Sequence, residues 1–137
     1  MIEYIIFFSM LAAGVLMFVF RRKEPPMFDT VTMQRMKCES PIERRLFDAL
    51  VFRGYTVSTQ VPCGKYRIDL ALVGPRIAIE CDGKAYHSSP EQKAHDRRKD
   101  AFLRKNGWKV LRFSGRQITR GLHYVLDKIE KEVRGNS

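Results

Sequence analysis

Two short runs of alternating polar and apolar residues, joined by Gly74-Pro75, mark the middle of the chain. The first is Tyr66-Arg-Ile-Asp-Leu-Ala-Leu-Val73 and the second is Arg76-Ile-Ala-Ile-Glu-Cys-Asp82. A period of two predicts strands whose successive side chains point to opposite faces. Arg67, Asp69 and Ala71 then share one face of the first run, and Ala78, Glu80 and Asp82 share one face of the second. Ile68, Leu70, Leu72, Ile77, Ile79 and Cys81 form the apolar opposite face. A turn centred on Gly74-Pro75 sets residue 72 against 77, 70 against 79 and 69 against 80.

The flanking patterns are helical. Ser40 can cap a helix, Pro41 fits its first position and Glu43 completes a capping box. Ile42, Leu46, Ala49 and Leu50 make the apolar stripe of that helix, and Gly54 ends it. A short helix fits 28–37, a strand 55–61, a turn 62–65 and a loop 83–89. Ser89-Pro90 opens a charged helix that Gly107 stops, with Ala94, Ala101, Phe102 and Leu103 as its buried side. Residues 108–113 read as a fourth strand. Ser114, with Gln117 three residues on, opens a last helix whose stripe is Ile118, Leu122, Val125, Leu126, Ile129 and Val133. A helical crossover between the third and fourth strands predicts that this pair is parallel within a mixed sheet.

The 137 residues suffice for one domain with a core, but the N-terminal end departs from that composition. Residues 4–20 carry no charge, and seventeen residues of helix reach about 26 Å, enough for a thin bilayer. Arg21-Arg22-Lys23 follows, with no Lys or Arg before it. The positive-inside rule then predicts a single-pass anchor over 1–20 whose C-terminal side lies in the cytoplasm, followed by a linker over 21–39 and a domain over 40–137. A cleaved signal peptide wants its basic cluster on the other side of the apolar run. A buried core helix is the other rival, although the remaining chain already makes a complete domain. Lys plus Arg number 25 against 15 Asp plus Glu, a net charge of +10, so the domain is drawn to polyanions, either nucleic acid or anionic lipid. Three cysteines without framework spacing predict no disulfide scaffold.

Opposed Asp69 and Glu80 change the picture. Directly paired residues lie roughly 4.5–5.5 Å apart at Cβ, and two like charges that close destabilise a hairpin unless a cation lies between them. Asp69, Glu80 and Asp82 offer hard oxygen donors that suit Mg²⁺, whose other positions stay open for water and phosphate oxygens. The competing reading is an ordinary solvated sheet face, but such faces usually mix signs.

The element order and five stretches together resemble the PD-(D/E)xK nuclease superfamily, in its small bacterial branch related to very-short-patch repair endonucleases. The stretches are Ser40-Pro-Ile-Glu-Arg-Arg-Leu46, Tyr66-Arg-Ile-Asp-Leu70, Ile79-Glu-Cys-Asp-Gly-Lys-Ala-Tyr-His87, Asp96-Arg-Arg-Lys-Asp100 and Gly107-Trp-Lys-Val-Leu-Arg-Phe113. The resemblance covers about 38–120 and implies an α/β, restriction-endonuclease-like αβββαβα core. The expected transmembrane helix is additional to it. The resemblance also implies a Mg²⁺-dependent (or Mn²⁺-dependent) endonuclease acting on DNA. Asp69 and Glu80 match its metal-binding acids, Glu43 the acid sent from the first helix, and His87 a histidine near the site that could act as general acid or base. Asp82 stands where the wider superfamily has its catalytic lysine, which leaves Lys84 and Lys65 as candidates for a displaced ammonium. Lys99 stands where this branch more often has arginine. Lys65, Arg67, Lys84, Arg97, Arg98 and Lys99 are the candidate phosphate contacts, against the alternative of a solvated helix face. The alternative function is a catalytically inactive nuclease-fold module that binds nucleic acid or a protein partner at the membrane.

Overall fold

A computed structural model describes residues 29–83 and 89–135, together with Met1, Tyr4, Phe7, Phe8 and Met10. The expected anchor and most of the linker therefore lie almost wholly outside the described residues, as do Lys84 and His87. Among the described residues no helix is long and apolar enough to cross a membrane.

Helix α1 (Thr30–Met36) starts at Asp29, whose carboxylate accepts the Thr32 N–H at 2.6 Å. It buries no residue and is held by polar contacts instead. Arg35 forks onto Asp48 at 2.7 and 2.9 Å. The Gln34 side chain accepts the Thr59 N–H at 2.8 Å. Helix α2 (Pro41–Phe52) has the expected Ser40 cap and N-terminal proline, and buries Leu46, Phe47 and Leu50.

Strand β1 (Ser58–Cys63) begins three residues later than the sequence pattern predicts and runs through Pro62. Pro62 is tolerated because β1 is an edge strand, where a missing N–H costs no ladder bond on the outer side. The turn narrows to Gly64-Lys65, with Gly64 at φ 57°. Strands β2 (Tyr66–Leu72) and β3 (Ile77–Asp82) pair as the turn predicts, Leu72 against Ile77 and Leu70 against Ile79. Helix α3 (Pro90–Lys105) crosses over to strand β4 (Lys109–Ser114), which pairs parallel to β3 in a mixed sheet of order β1-β2-β3-β4.

Ser114 and Gln117 form the capping box, but the last helix is broken. Helix α4 (Gly115–Arg120) and helix α5 (Leu122–Gly135) meet at Gly121, whose backbone (φ −128°, ψ 38°) leaves the helical region. The pattern of apolar spacing cannot register this break, because Ile118, Val125, Leu126 and Ile129 are buried on both sides of it.

Helices α2, α4 and α5 cover one face of the sheet. Leu46, Phe47 and Leu50 pack there with Leu70, Leu72, Ile77, Ile79, Leu111 and Phe113. The other face is not solvated. Ala71 and Ala78 are buried there with Leu103 of α3 and with Trp108. Ile68 belongs to this second cluster, not to the face of Leu70 and Leu72, so the simple alternation along β2 fails between 68 and 70. On α3 only Leu103 is fully buried, and Ala101 is exposed rather than packed.

Candidate active site

The acids expected to carry the chemistry gather where β2 and β3 separate. The ladder between them is formed from Leu72↔Ile77 to Leu70↔Ile79. At the next step the Asp69 side chain takes over, with Oδ2 accepting the Cys81 N–H at 2.8 Å. This bond fixes the carboxylate beside the residue that follows Glu80.

Glu80 is 3% exposed. The Lys99 ammonium donates to its Oε2 from α3. Its Oε1 is buried and has no partner among the described residues. Burial, with Asp69 as the second cause, pushes the Glu80 carboxyl up to about 7, against the pull of Lys99. Burial also raises Asp69, partly offset by the Cys81 N–H. A buried carboxylate with one bare oxygen, next to a second acid, is the electrostatic profile that a cation relieves.

Asp82 is held differently. Arg112, paired with Glu80 in the parallel β3–β4 register, donates to Asp82 Oδ1 at 2.9 Å and to both oxygens of Asp100 at 2.7–3.0 Å. Burial alone would lower the Arg112 guanidinium, but Asp100 and then Asp82 raise it above the ordinary arginine range. Consecutive residues of α3 thus serve the two acids of β3. Lys99 binds Glu80 directly, and Asp100 reaches Asp82 through Arg112.

Glu43 is buried, and both its oxygens are engaged. Oε1 accepts from the Ser40 hydroxyl at 2.8 Å, and Oε2 accepts from the Glu39 N–H at 2.9 Å and the Gln60 amide at 3.2 Å. Among the described residues no three His, Cys, Asp or Glu side chains are grouped so as to hold a metal ion. Asp69, Glu80 and Glu43 are therefore not a preformed three-carboxylate set, because Glu43 is committed to capping α2 and to Gln60.

The basic residues divide. Lys99 is in the site, bound to Glu80. Arg97 and Arg98 are exposed beside it on α3, and Lys65 is exposed at the β1–β2 turn over the Tyr66 ring. Arg67 pairs with Glu39 at 3.0 Å, both side chains being more than half exposed. Trp108 and Phe113 are core residues, 7% and 1% exposed. Sequence reasoning missed Arg112, Asp100 and Gln60. Arg112 and Asp100 lie within the family-like stretches, but only the parallel register brings them to Glu80 and Asp82.

The model of a restriction endonuclease-like family, REase_MTES_1575, matches residues 42–133, which include Glu43, Asp69, Glu80, Asp82 and Lys99. The chain belongs to this family. Among its relatives, the uncharacterized protein YcjD of Escherichia coli (strain K12) is 31% identical over 107 residues, 78% of this chain and 85% of that protein. An uncharacterized protein of Haemophilus influenzae is 28% identical over 94 residues, 66% of this chain and 77% of that protein. The fold of this REase_MTES_1575 member is similar to the catalytic domain of the homing endonuclease I-Bth0305I. The TM-score is 0.60 at 23% identity, covering 71% of this chain and 97% of that one. The chain thus has a PD-(D/E)xK-type nuclease fold. Nuclease folds of this kind typically use a divalent metal.

Proposed function

We propose that the protein is a Mg²⁺- or Mn²⁺-dependent endonuclease that hydrolyses phosphodiester bonds in DNA. The observation that carries this reading is the buried Oε1 of Glu80, which lies beside Asp69 and has no partner among the described residues. The donor set fits a hard divalent cation, since two carboxylates leave coordination positions open for water and phosphate oxygens. Asp69 and Glu80 would hold the ion. When bound, it supplies Lewis-acid polarisation of the scissile phosphate and acidifies water.

The remaining work falls to the chain's own side chains. Lys99 holds its ammonium against Glu80, and Lys84 and Lys65 are the candidates for the superfamily lysine whose position Asp82 occupies. Arg112 fixes Asp82, whose half-exposed carboxylate can orient a water or a second ion. Arg97 and Arg98, exposed beside Lys99, and Lys65 contact phosphates without reading bases. His87 remains the candidate general acid or base. Apolar residues 4–20, followed by Arg21-Arg22-Lys23, support a single-pass anchor that keeps the domain at the cytoplasmic side of a bacterial inner membrane. Resistance of the protein to alkaline extraction from membranes tests the anchor separately.

The test of the activity is nicking of supercoiled plasmid in Mg²⁺ or Mn²⁺. Wild type is expected to nick, and the Asp69→Ala/Glu80→Ala double variant is expected not to. Equal nicking by the two refutes the assignment. The alternative, a nuclease fold retained only for binding, draws on the aspartate at position 82. It predicts salt-sensitive DNA binding that EDTA leaves unchanged, with no cleavage.

A further inference from the structure

Strands β1 and β2 pair at every step from Ser58↔Ala71 to Cys63↔Tyr66 except one. The exception is Gln60, opposite Asp69, and Gln60 has φ 51°. The left-handed region is unfavourable for a residue with a Cβ, and such strain persists where the surroundings over-determine it, often at functional sites. The register is the same on both sides of the gap, so no residue has been inserted. What changes is the face. Thr59 bonds to Gln34 of α1, and Leu70 packs with α2 and α5. Two residues further, where ordinary alternation would return to the same face, Val61 and Ile68 pack in the cluster beneath α3. The strand pair turns over at Gln60 and Asp69. The side chain of the strained residue then reaches α2, donating its amide to Glu43 Oε2.

We propose that Gln60 is a positioning residue of the site: its left-handed backbone turns the hairpin so that Asp69 reaches the Cys81 N–H, and its amide restrains Glu43 behind the metal-binding acids. This inference rests on the nuclease reading and adds to it a residue that touches neither metal nor substrate. Groups outside the ligand set that help position it typically change metal affinity or activity by about 10–100-fold when removed.

Glycine separates the two roles of Gln60, because it adopts positive φ without strain but has no amide. In Gln60→Gly the melting temperature should equal or exceed that of wild type. Its Mn²⁺ dissociation constant, measured by calorimetry, should rise about tenfold, and kcat for plasmid nicking should fall about tenfold with KM unchanged. Gln60→Ala should melt below Gln60→Gly yet match it in Mn²⁺ affinity and kcat, because both lack the amide. The inference is overturned if Gln60→Gly binds Mn²⁺ and cleaves as wild type does, or if affinity and kcat follow melting temperature across the two variants. If wild type itself neither binds Mn²⁺ nor cleaves, the nuclease reading fails and takes this inference with it. Failure confined to the Gln60 variants removes only the positioning role.

Discussion

Glu80→Gln isolates the electrostatic stress at the centre of the site. Burial and Asp69 raise the Glu80 carboxyl from 4.5 to about 7 in the folded protein. At about 1.4 kcal/mol for each factor of ten, keeping it ionised above pH 7 costs about 3 kcal/mol of folding free energy. The direction follows from the raised value. The group's favourable contribution is fully present below pH 4.5 and is lost as pH rises through 7, because the unfolded chain releases the proton first. Glutamine has no proton to release. Wild type should therefore lose about 3 kcal/mol relative to Glu80→Gln between pH 4.5 and 8, roughly 10–20 °C in melting temperature for a domain of about 100 residues. The value of about 7 already includes attraction to Lys99, so the readout is the difference in slope against pH, not the offset. The assay is thermal denaturation followed by circular dichroism at half-unit steps from pH 4 to 8 in EDTA. A second series at pH 8 adds millimolar Mn²⁺, which should raise the wild-type midpoint and leave the variant unchanged. A gap between the two proteins that stays constant across the pH range refutes the reasoning.

Three further outcomes follow from the same geometry. Lys99→Met should push the Glu80 titration above 7, followed by carboxyl carbon NMR, and should cost about 3 kcal/mol at pH 8 in denaturant melts, while Lys99→Arg keeps most of that stability. Arg112→Met leaves the half-buried Asp100 without its partner and releases Asp82. A loss of about 3 kcal/mol in urea denaturation is expected at pH 7. Gly64→Ala places a Cβ 2.5 Å from Phe102 Cζ at a residue with φ 57°, so thermal melts should show a loss of about 2 kcal/mol or more.

The hairpin register was legible because a two-residue period and Gly74-Pro75 leave one way to bury Leu70, Leu72, Ile77 and Ile79 together. The helix caps were legible for a similar reason, since Ser40, Ser89 and Ser114 each satisfy backbone donors within three residues of themselves. The parallel placement of β4 followed from the crossover, but its register did not. Without that register nothing in the sequence distinguishes Arg112 from any surface arginine on a strand. Lys99 was legible as a candidate phosphate contact, but its bond to Glu80 was not, because the rotation of that basic run about α3 depends on how Leu103 packs. The turnover at Gln60 was illegible for a different reason. Glutamine has no preference for positive φ, so the strain is imposed by the Gln60–Glu43 and Thr59–Gln34 hydrogen bonds and by the packing of Val61 and Ile68 beneath α3.

An open sheet has a lateral rim where another chain could add itself by main-chain pairing. On the β1 side of this molecule that opportunity is largely withdrawn. The Thr59 amide is already taken by Gln34, Pro62 has no amide, and the left-handed kink between them interrupts the flat stretch that a recruited strand would need. The same distortion that arranges the acids therefore also disfavours pairing of another chain along the β1 edge.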